Sequence, residues 1–457
     1  MVEILEQLHA IVWGAPALIL IIFVGICVCL KTGFCQITLF PDALRRFRSS
    51  VCTASGGGGT SGYRALCTAL AATVGTGNIA GVAGAICLGG PGAIFWMWIC
   101  GILGMGIKYA EVTLAVHFRN KSNLGEWHGG PMYMIKNGLG EKWLPLANIY
   151  CLLGLFASFG IGNATQINAL MSGLSMAFAA IEQPVNQFWK LVVGVVLAVS
   201  VFVMLRGGAK RIGAAAQQLV PAASIIYLII CIFVIGSNIA VVDDALRSIV
   251  YGAFHPRAVT GGLVGSAFAA LRIGVSRGIF TNEAGMGTAS IAHAGADVEQ
   301  AAEQGLMGII EVFLDTILIC TMTALTILTS GIVIPYGTDP GAQLTGEAVA
   351  SVLGDFGSFL MFGTLCCFAF ATILGWGLYG VRCAEFLFGS KARMIFPGCQ
   401  AIVVLWAVFS ETATIWVACD ILNGLMTIPN LLALFLLMNE LVRLTQQYKE
   451  KYKQRMK

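Results

Sequence analysis

Apolar runs long enough to cross a bilayer, which takes ~20 residues, fill most of the chain and are parted by short polar stretches. Eleven segments fit this pattern: Ile11–Leu30, Ala65–Leu88, Gly92–Phe118, Leu146–Phe178, Phe188–Leu205, Ile212–Ile239, Gly261–Phe280, Leu306–Ile334, Gly357–Tyr379, Met394–Phe409 and Thr412–Met438. The expected fold is therefore an all-α polytopic membrane protein with eleven transmembrane helices. One segment breaks the rule of its own type. Ala65–Leu88 carries Gly75-Thr76-Gly77-Asn78 at its middle, with Gly81 and Gly84 following. Each interior Gly costs a helix about 1 kcal/mol relative to Ala, so the helix is weakest at membrane depth. Irregular backbone survives there only where protein buries it or a polar cavity borders it. An interrupted helix facing a midplane site is the first expectation. Close packing of a continuous helix through Gly77 and Gly81 is the alternative, but it leaves Thr76 and Asn78 unexplained.

Composition agrees with the hydropathy. Of 457 residues 57% are hydrophobic and 11% charged, less than half the charged share of a soluble domain, which is about 25%. The 15 cysteines contain no C-x-x-C pair and read as small buried hydrophobes, so neither a disulfide framework nor a zinc site is expected. Glu3 and Glu6 stand where a cleaved signal would be basic, and Ile11–Leu30 is expected to remain as a span.

Charge then sets the orientation. With the N-terminus outside, the inner segments hold Lys31, Arg45, Arg46, Arg48 and Arg64, then Arg119, Lys121, Lys136 and Lys142, then Arg206, Lys210 and Arg211. Arg382, Lys391 and Arg393 follow, and the basic tail 439–457 runs from Arg443 to Lys457. The outer loops hold only Lys190, Arg247 and Arg257. The positive-inside rule reads this clearly. Setting aside an extra N-terminal helix at 11–30, a first group of five spans (65–239) and a second (261–438) start from opposite faces, as a five-plus-five inverted repeat with discontinuous helices requires. Asn78-Ile79-Ala80-Gly81 echoes Asn282-Glu283-Ala284-Gly285, and Gly274 to Gly278 supplies a second glycine-interrupted stretch that is read as a hinge.

Enzymatic motifs are weak. Gly274 to Gly278 matches G-x-S-x-G around Ser276, but that motif needs a strand–turn–helix setting. The histidines are isolated, and no Walker or H-E-x-x-H pattern occurs. Lys108, Glu111, Arg272, Arg277, Glu311 and Asp315 are ionisable residues inside or beside spans. Lys108 and Glu111 stand one turn apart, and an internal ion pair is preferred over a proton relay.

Gly89-Gly90-Pro91-Gly92-Ala93-Ile94-Phe95-Trp96-Met97-Trp98 closely resembles the signature of the alanine or glycine:cation symporters. Thr76 to Ile79, Gly129 to Tyr133 and Arg277 to Gly285 resemble further blocks of that family. The resemblance implies a LeuT-type inverted-repeat fold. Thr73 to Asn78 is also similar to the sodium-site stretch of the neurotransmitter:sodium symporters. By that likeness the Thr73 carbonyl and Asn78 side chain match one sodium site. The Ala71 and Val74 carbonyls with Thr372 match another, although Ala371 leaves that site one hydroxyl short. The same likeness implies substrate contacts at Thr76, Gly77, Gln166, Gly274, Gly278, Thr372 and Trp376.

Physics offers a matching reading. Free N–H groups at a half-helix N-terminus bind a carboxylate, and unwound carbonyls suit an ammonium or a sodium ion. A zwitterion needs no full protein charge, and Ala71 to Gly84 has none. Trp376, one turn after Thr372, is read as a steric floor. The function implied is sodium-coupled import of alanine or glycine across a prokaryotic plasma membrane, with a proton-coupled carrier as the alternative. A small zwitterionic amino acid, sodium and membrane lipid are the expected partners. Neither a cofactor nor nucleic acid is expected.

Overall fold

Rows of large apolar side chains face outward on the peripheral helices. Val195, Val196, Val199 and Val203 are exposed on Gln187–Arg206, and Ile225, Ile226, Ile229 and Ile232 on Gly208–Ser237. Such surfaces are stable against hydrocarbon and not against water. The computed structural model describes residues 2–55, 61–122, 125–410 and 412–456, so Lys457 of the basic tail lies outside them. Among these residues seven helices are long and apolar enough to cross a membrane, eight when a bent pair is counted as one span. Two shorter apolar helices, Pro16–Thr32 and Ala392–Ala407, accompany them. The chain is a multi-pass membrane protein.

The elements that build the interior are, in chain order, α1 (Ala15–Thr32), α2 (Ser61–Thr73), α3 (Val82–Gly89), α4 (Gly92–His117), α5 (Thr165–Ala179), α6 (Ala267–Asn282), α7 (Thr288–His293), α8 (Ala301–Val312), α9 (Gln343–Phe388, kinked at Gly354) and α10 (Thr412–Leu436). The kink follows from Gly354, whose φ of 59° only glycine adopts freely. Helix α4 is the spine. It packs against α1, α6, α7 and α8, and most of its length is buried.

The first interruption falls where the sequence places it. Helix α2 ends at Thr73, a π-helical turn runs from Gly77 to Gly81, and the two halves bend by 50°. Asn78 makes the break affordable: its Oδ1 accepts a 2.8 Å hydrogen bond from the Gly75 N–H, a donor that a continuous helix would send to a carbonyl.

The second interruption does not fall where the sequence places it. Helix α6 runs unbroken through Gly274, Ser276 and Gly278, so the hinge assigned to Gly274–Gly278 is corrected and Ser276 has no nucleophile-elbow geometry. A Cβ on Gly274 would stand 2.3 Å from the Ala93 carbonyl oxygen, and one on Gly278 would stand 3.2 Å from Cys100 Sγ. These glycines let α6 press against α4, the use small residues have between membrane helices. The true break is 283–287, where Glu283, Gly285 and Gly287 have φ of 55°, 94° and 77°. Asn282 Oδ1 accepts from the Ala284 N–H at 2.9 Å, so an asparagine satisfies freed backbone at both breaks.

A buried ion cluster holds the second break in place. Lys108 Nζ lies 3.4 Å from Glu311 and 4.0 Å from Glu111, and His293 Nε2 is 2.8 Å from Glu311. Glu111 Oε1 also accepts N–H groups of Gly285 (2.8 Å) and Gly287 (3.1 Å) and the Asn430 amide (2.7 Å). The Lys108–Glu111 pair expected on one helix face is present and ties α4, α8 and α10 to the irregular segment. Arg277, in the C-terminal half of α6, pairs with Asp339 at 3.0 Å and Asp420 at 4.0 Å.

Candidate functional site

Between α2 and α3 the backbone turns two kinds of group loose. The N–H groups of Thr76 and Gly77 have no hydrogen-bond acceptor among the described residues, and the carbonyls of Ala71, Thr73 and Val74 have no donor. All five residues are buried. A buried backbone group without a partner is unusual. Here the donors sit at the start of the half-helix ending in α3, where the helix dipole favours an anion. The carbonyls sit at the end of α2, where it favours a cation.

Beside this break lies a small cavity of about 10 Å³, lined by Ala72, Thr73, Gly75, Gly77, Ile161, Gln166, Phe280, Glu283, Thr372 and Trp376. That is the least room in which one water fits. Its walls come from α2, α5, α6 and its break, and α9. The Thr76 hydroxyl donates to Gln166 Oε1 at 2.7 Å, while the Gln166 amide nitrogen donates to the Ile161 carbonyl at 3.0 Å, fixing the side chain from both ends. Trp376 is 1% exposed and its Cβ would lie 2.2 Å from a Cβ on Gly162, so the indole is seated against a glycine. Thr372 is buried, and its hydroxyl has no partner among the described residues. Orphaned polar atoms of this kind point to a ligand.

The structure thus gathers Thr73, Gly77, Gln166, Thr372 and Trp376 around one cavity, with Thr76 bonded to its wall. Val74 and Asn78 lie in the same break, and Ala71 in the last turn of α2 leading into it. Gly274 and Gly278, expected among the substrate contacts, pack on α4 and are not among the lining residues. The cavity has lining residues that were not among the expected site residues: Ala72, Gly75, Ile161, Phe280 and, last, Glu283. The echo of Asn78–Gly81 in Asn282–Gly285 marked the last of these, since the paired break exposes whatever follows its asparagine. Glu283 also lies on the wall, an acidic group outside the charge-free stretch Ala71 to Gly84, brought in by the second break.

Asn78 also reaches the neighbouring helix. Its Nδ2 donates to the Asp315 side chain at 2.7 Å and to the Asp315 carbonyl at 3.2 Å. Asp315 is fully buried and accepts from Thr316 Oγ1 at 2.8 Å, and Thr316 is bonded in turn by the Asn282 amide at 3.0 Å. One chain of hydrogen bonds therefore connects the two breaks. Oxygen ligands are what a hard cation such as sodium prefers, and the open carbonyls, the Thr372 hydroxyl and the Asp315 carboxylate are all oxygens.

Comparison with known proteins agrees in fold and family. Residues 1–457 match the sodium:alanine symporter family. The chain is similar to the sodium/alanine symporter AgcS of Methanococcus maripaludis, at 38% identity over 98% of this chain and 97% of that protein. It is also similar to the probable sodium/glutamine symporter GlnT of Bacillus subtilis, at 36% identity over 96% and 89%. Among solved structures, MhsT in complex with L-phenylalanine matches with a TM-score of 0.61 and 16% identity, covering 82% of this chain and 88% of that one. At that identity the likeness speaks for the fold, which is the LeuT type. With the match running from the first residue to the last, and relatives alike over nearly their whole length, this chain belongs to the sodium:alanine symporter family.

Proposed function

We propose that this sodium-coupled amino acid symporter carries alanine or glycine inward. The observation that carries the choice is the lining of the cavity: the buried Trp376, seated on Gly162, and Phe280 stand beside the glycines of the first break. Two rigid aromatic rings next to the open backbone leave little space there for a side chain. The names of relatives include both alanine and glutamine, so family alone does not set the size.

In this reading the substrate carboxylate binds the N–H groups of Thr76 and Gly77, backed by Gln166. Sodium is held by the carbonyls of Ala71, Thr73 and Val74, the Asn78 side chain and the Thr372 hydroxyl. Because both ligands order the same unwound backbone, each raises the affinity of the other by the same factor. Release to the opposite face follows from one helix bundle rocking about the fixed site. The eleven spans, with an extra helix at 11–30 and repeats at 65–239 and 261–438, supply the symmetry for that motion. The basic segments lie on the cytoplasmic face, with the N-terminus outside.

Uptake of labelled alanine into proteoliposomes tests this directly. Accumulation should require an inward sodium gradient and persist when a proton gradient is collapsed. Equal uptake without sodium, or competition by leucine as strong as by glycine, would overturn the reading.

One substitution tests the closeness of the break to α9. A Cβ on Gly75 would lie 2.4 Å from Thr372 Oγ1 and 3.6 Å from Gln166 Oε1. Threonine is stiff about χ1 and has little freedom to retreat. Gly75→Ala is therefore expected to lower sodium-driven uptake by at least ~10-fold, since overpacking costs about 1–3 kcal/mol, while the protein still elutes as a folded species. Uptake measured against surface or reconstituted amount checks it.

A further inference from the structure

The zwitterion assigned above presents a cation as well as an anion, and the open backbone accounts most directly for the anion. Glu283 lies on the wall of the same cavity as Gly77 and Trp376. It is 1% exposed, and its φ of 55° is a left-handed conformation uncommon for a residue other than glycine. That conformation ends α6. Its Oε2 accepts a 2.5 Å hydrogen bond from Thr288 Oγ1. Among the described residues no Lys, Arg or His lies within ion-pair distance of it; Lys108, whose charge reaches it, is shared with Glu311 and Glu111. A carboxylate carried out of water with no cation in direct contact is costly unless something charged completes it.

We propose that the Glu283 carboxylate receives the ammonium group of the substrate, opposite the N–H groups of Thr76 and Gly77 that receive its carboxylate. This rests on the reading of the protein as an amino acid symporter. The two helix breaks then divide the labour. The first recognises the anionic end of the substrate and gathers sodium; the second recognises the cationic end. Compounds with a carboxylate but no amine are rejected because they leave Glu283 buried and uncompensated, a form of selection far stronger than a change in apolar size.

The experiment is binding to the purified full-length protein at fixed saturating sodium, comparing alanine with propionate, which lacks only the amine. Wild type should favour alanine strongly. In Glu283→Gln the alanine affinity should fall by ~10- to 100-fold, the range expected for losing a charge-assisted hydrogen bond, while propionate gains or holds. Alanine affinity in Glu283→Gln within twofold of wild type, with the alanine-to-propionate ratio unchanged, would overturn the proposal. A second variant guards against misfolding of the first. Glu283→Asp keeps the charge but withdraws it by one methylene, so preference should move from alanine toward β-alanine, whose ammonium stands one methylene further from its carboxylate. A merely structural carboxylate would leave that ratio where it was, and that outcome also counts against the assignment. Absence of sodium-dependent alanine binding in wild type would instead sink the transport reading.

Discussion

Asn78→Ala is expected to raise the sodium concentration needed for half-maximal uptake by ~100-fold or more. The asparagine holds two buried groups, of which the Gly75 N–H has no other partner and the Asp315 carboxylate only Thr316 besides. Its oxygen takes the Gly75 N–H at 2.8 Å, and its nitrogen donates to the Asp315 carboxylate at 2.7 Å. Alanine leaves a buried N–H and a buried carboxylate each one bond short, at about 1–3 kcal/mol apiece and more for the charged group. The cost falls on the arrangement that keeps the Ala71, Thr73 and Val74 carbonyls open. Substrate affinity at saturating sodium should change less, because the Thr76 hydroxyl stays anchored on Gln166. Uptake rates measured across a sodium titration separate the two effects. An unchanged sodium midpoint would remove Asn78 from the cation site.

Trp376→Ala is expected to admit larger neutral amino acids, with competition by leucine rising at least ~10-fold relative to alanine. The indole is among the largest fully buried side chains of the protein, stacked edge-on against Tyr379 at 5.6 Å between ring centroids. Its removal opens space in the wall of the cavity beside the first break, and each methylene accommodated in such a space is worth about 1–3 kcal/mol in discrimination. Loss of a buried Trp also costs stability, about 3–5 kcal/mol, so competition is read per unit of folded protein. Gly162→Ala probes the same wall from the other side, since a Cβ there would stand 2.2 Å from the Trp376 Cβ and force the indole to move without deleting it. An unaltered order of competing amino acids in Trp376→Ala would show that another residue sets the size limit.

These expectations differ in how far they were visible in the chain alone. The first break was visible because its causes are local. Gly75 and Gly77 weaken the helix, and Asn78, three residues beyond Gly75, has a side chain short enough to replace the lost backbone partner. Gln166, Thr372 and Trp376 came from resemblance, and nothing in their own surroundings distinguishes them from packing residues. The second break was misplaced because glycine in a membrane helix has two uses that look alike in sequence. At Gly274 and Gly278 it permits contact with α4, whereas at Gly285 and Gly287 it supplies positive φ. Only the neighbour at Ala93 tells the two apart.

By itself, then, the sequence determined that the chain lives in a membrane and where the first helix gives way. Those properties depend on transfer free energy and local backbone preference, which act within a turn or two. The tertiary structure decided which residues share the cavity. Glu283, Phe280 and Trp376 meet Gly77 across separations of about two hundred residues or more, and Asp315 meets Asn78 at |i−j| of 237. A buried carboxylate announces its cost in the sequence, but the group that repays that cost is chosen by how the helices pack.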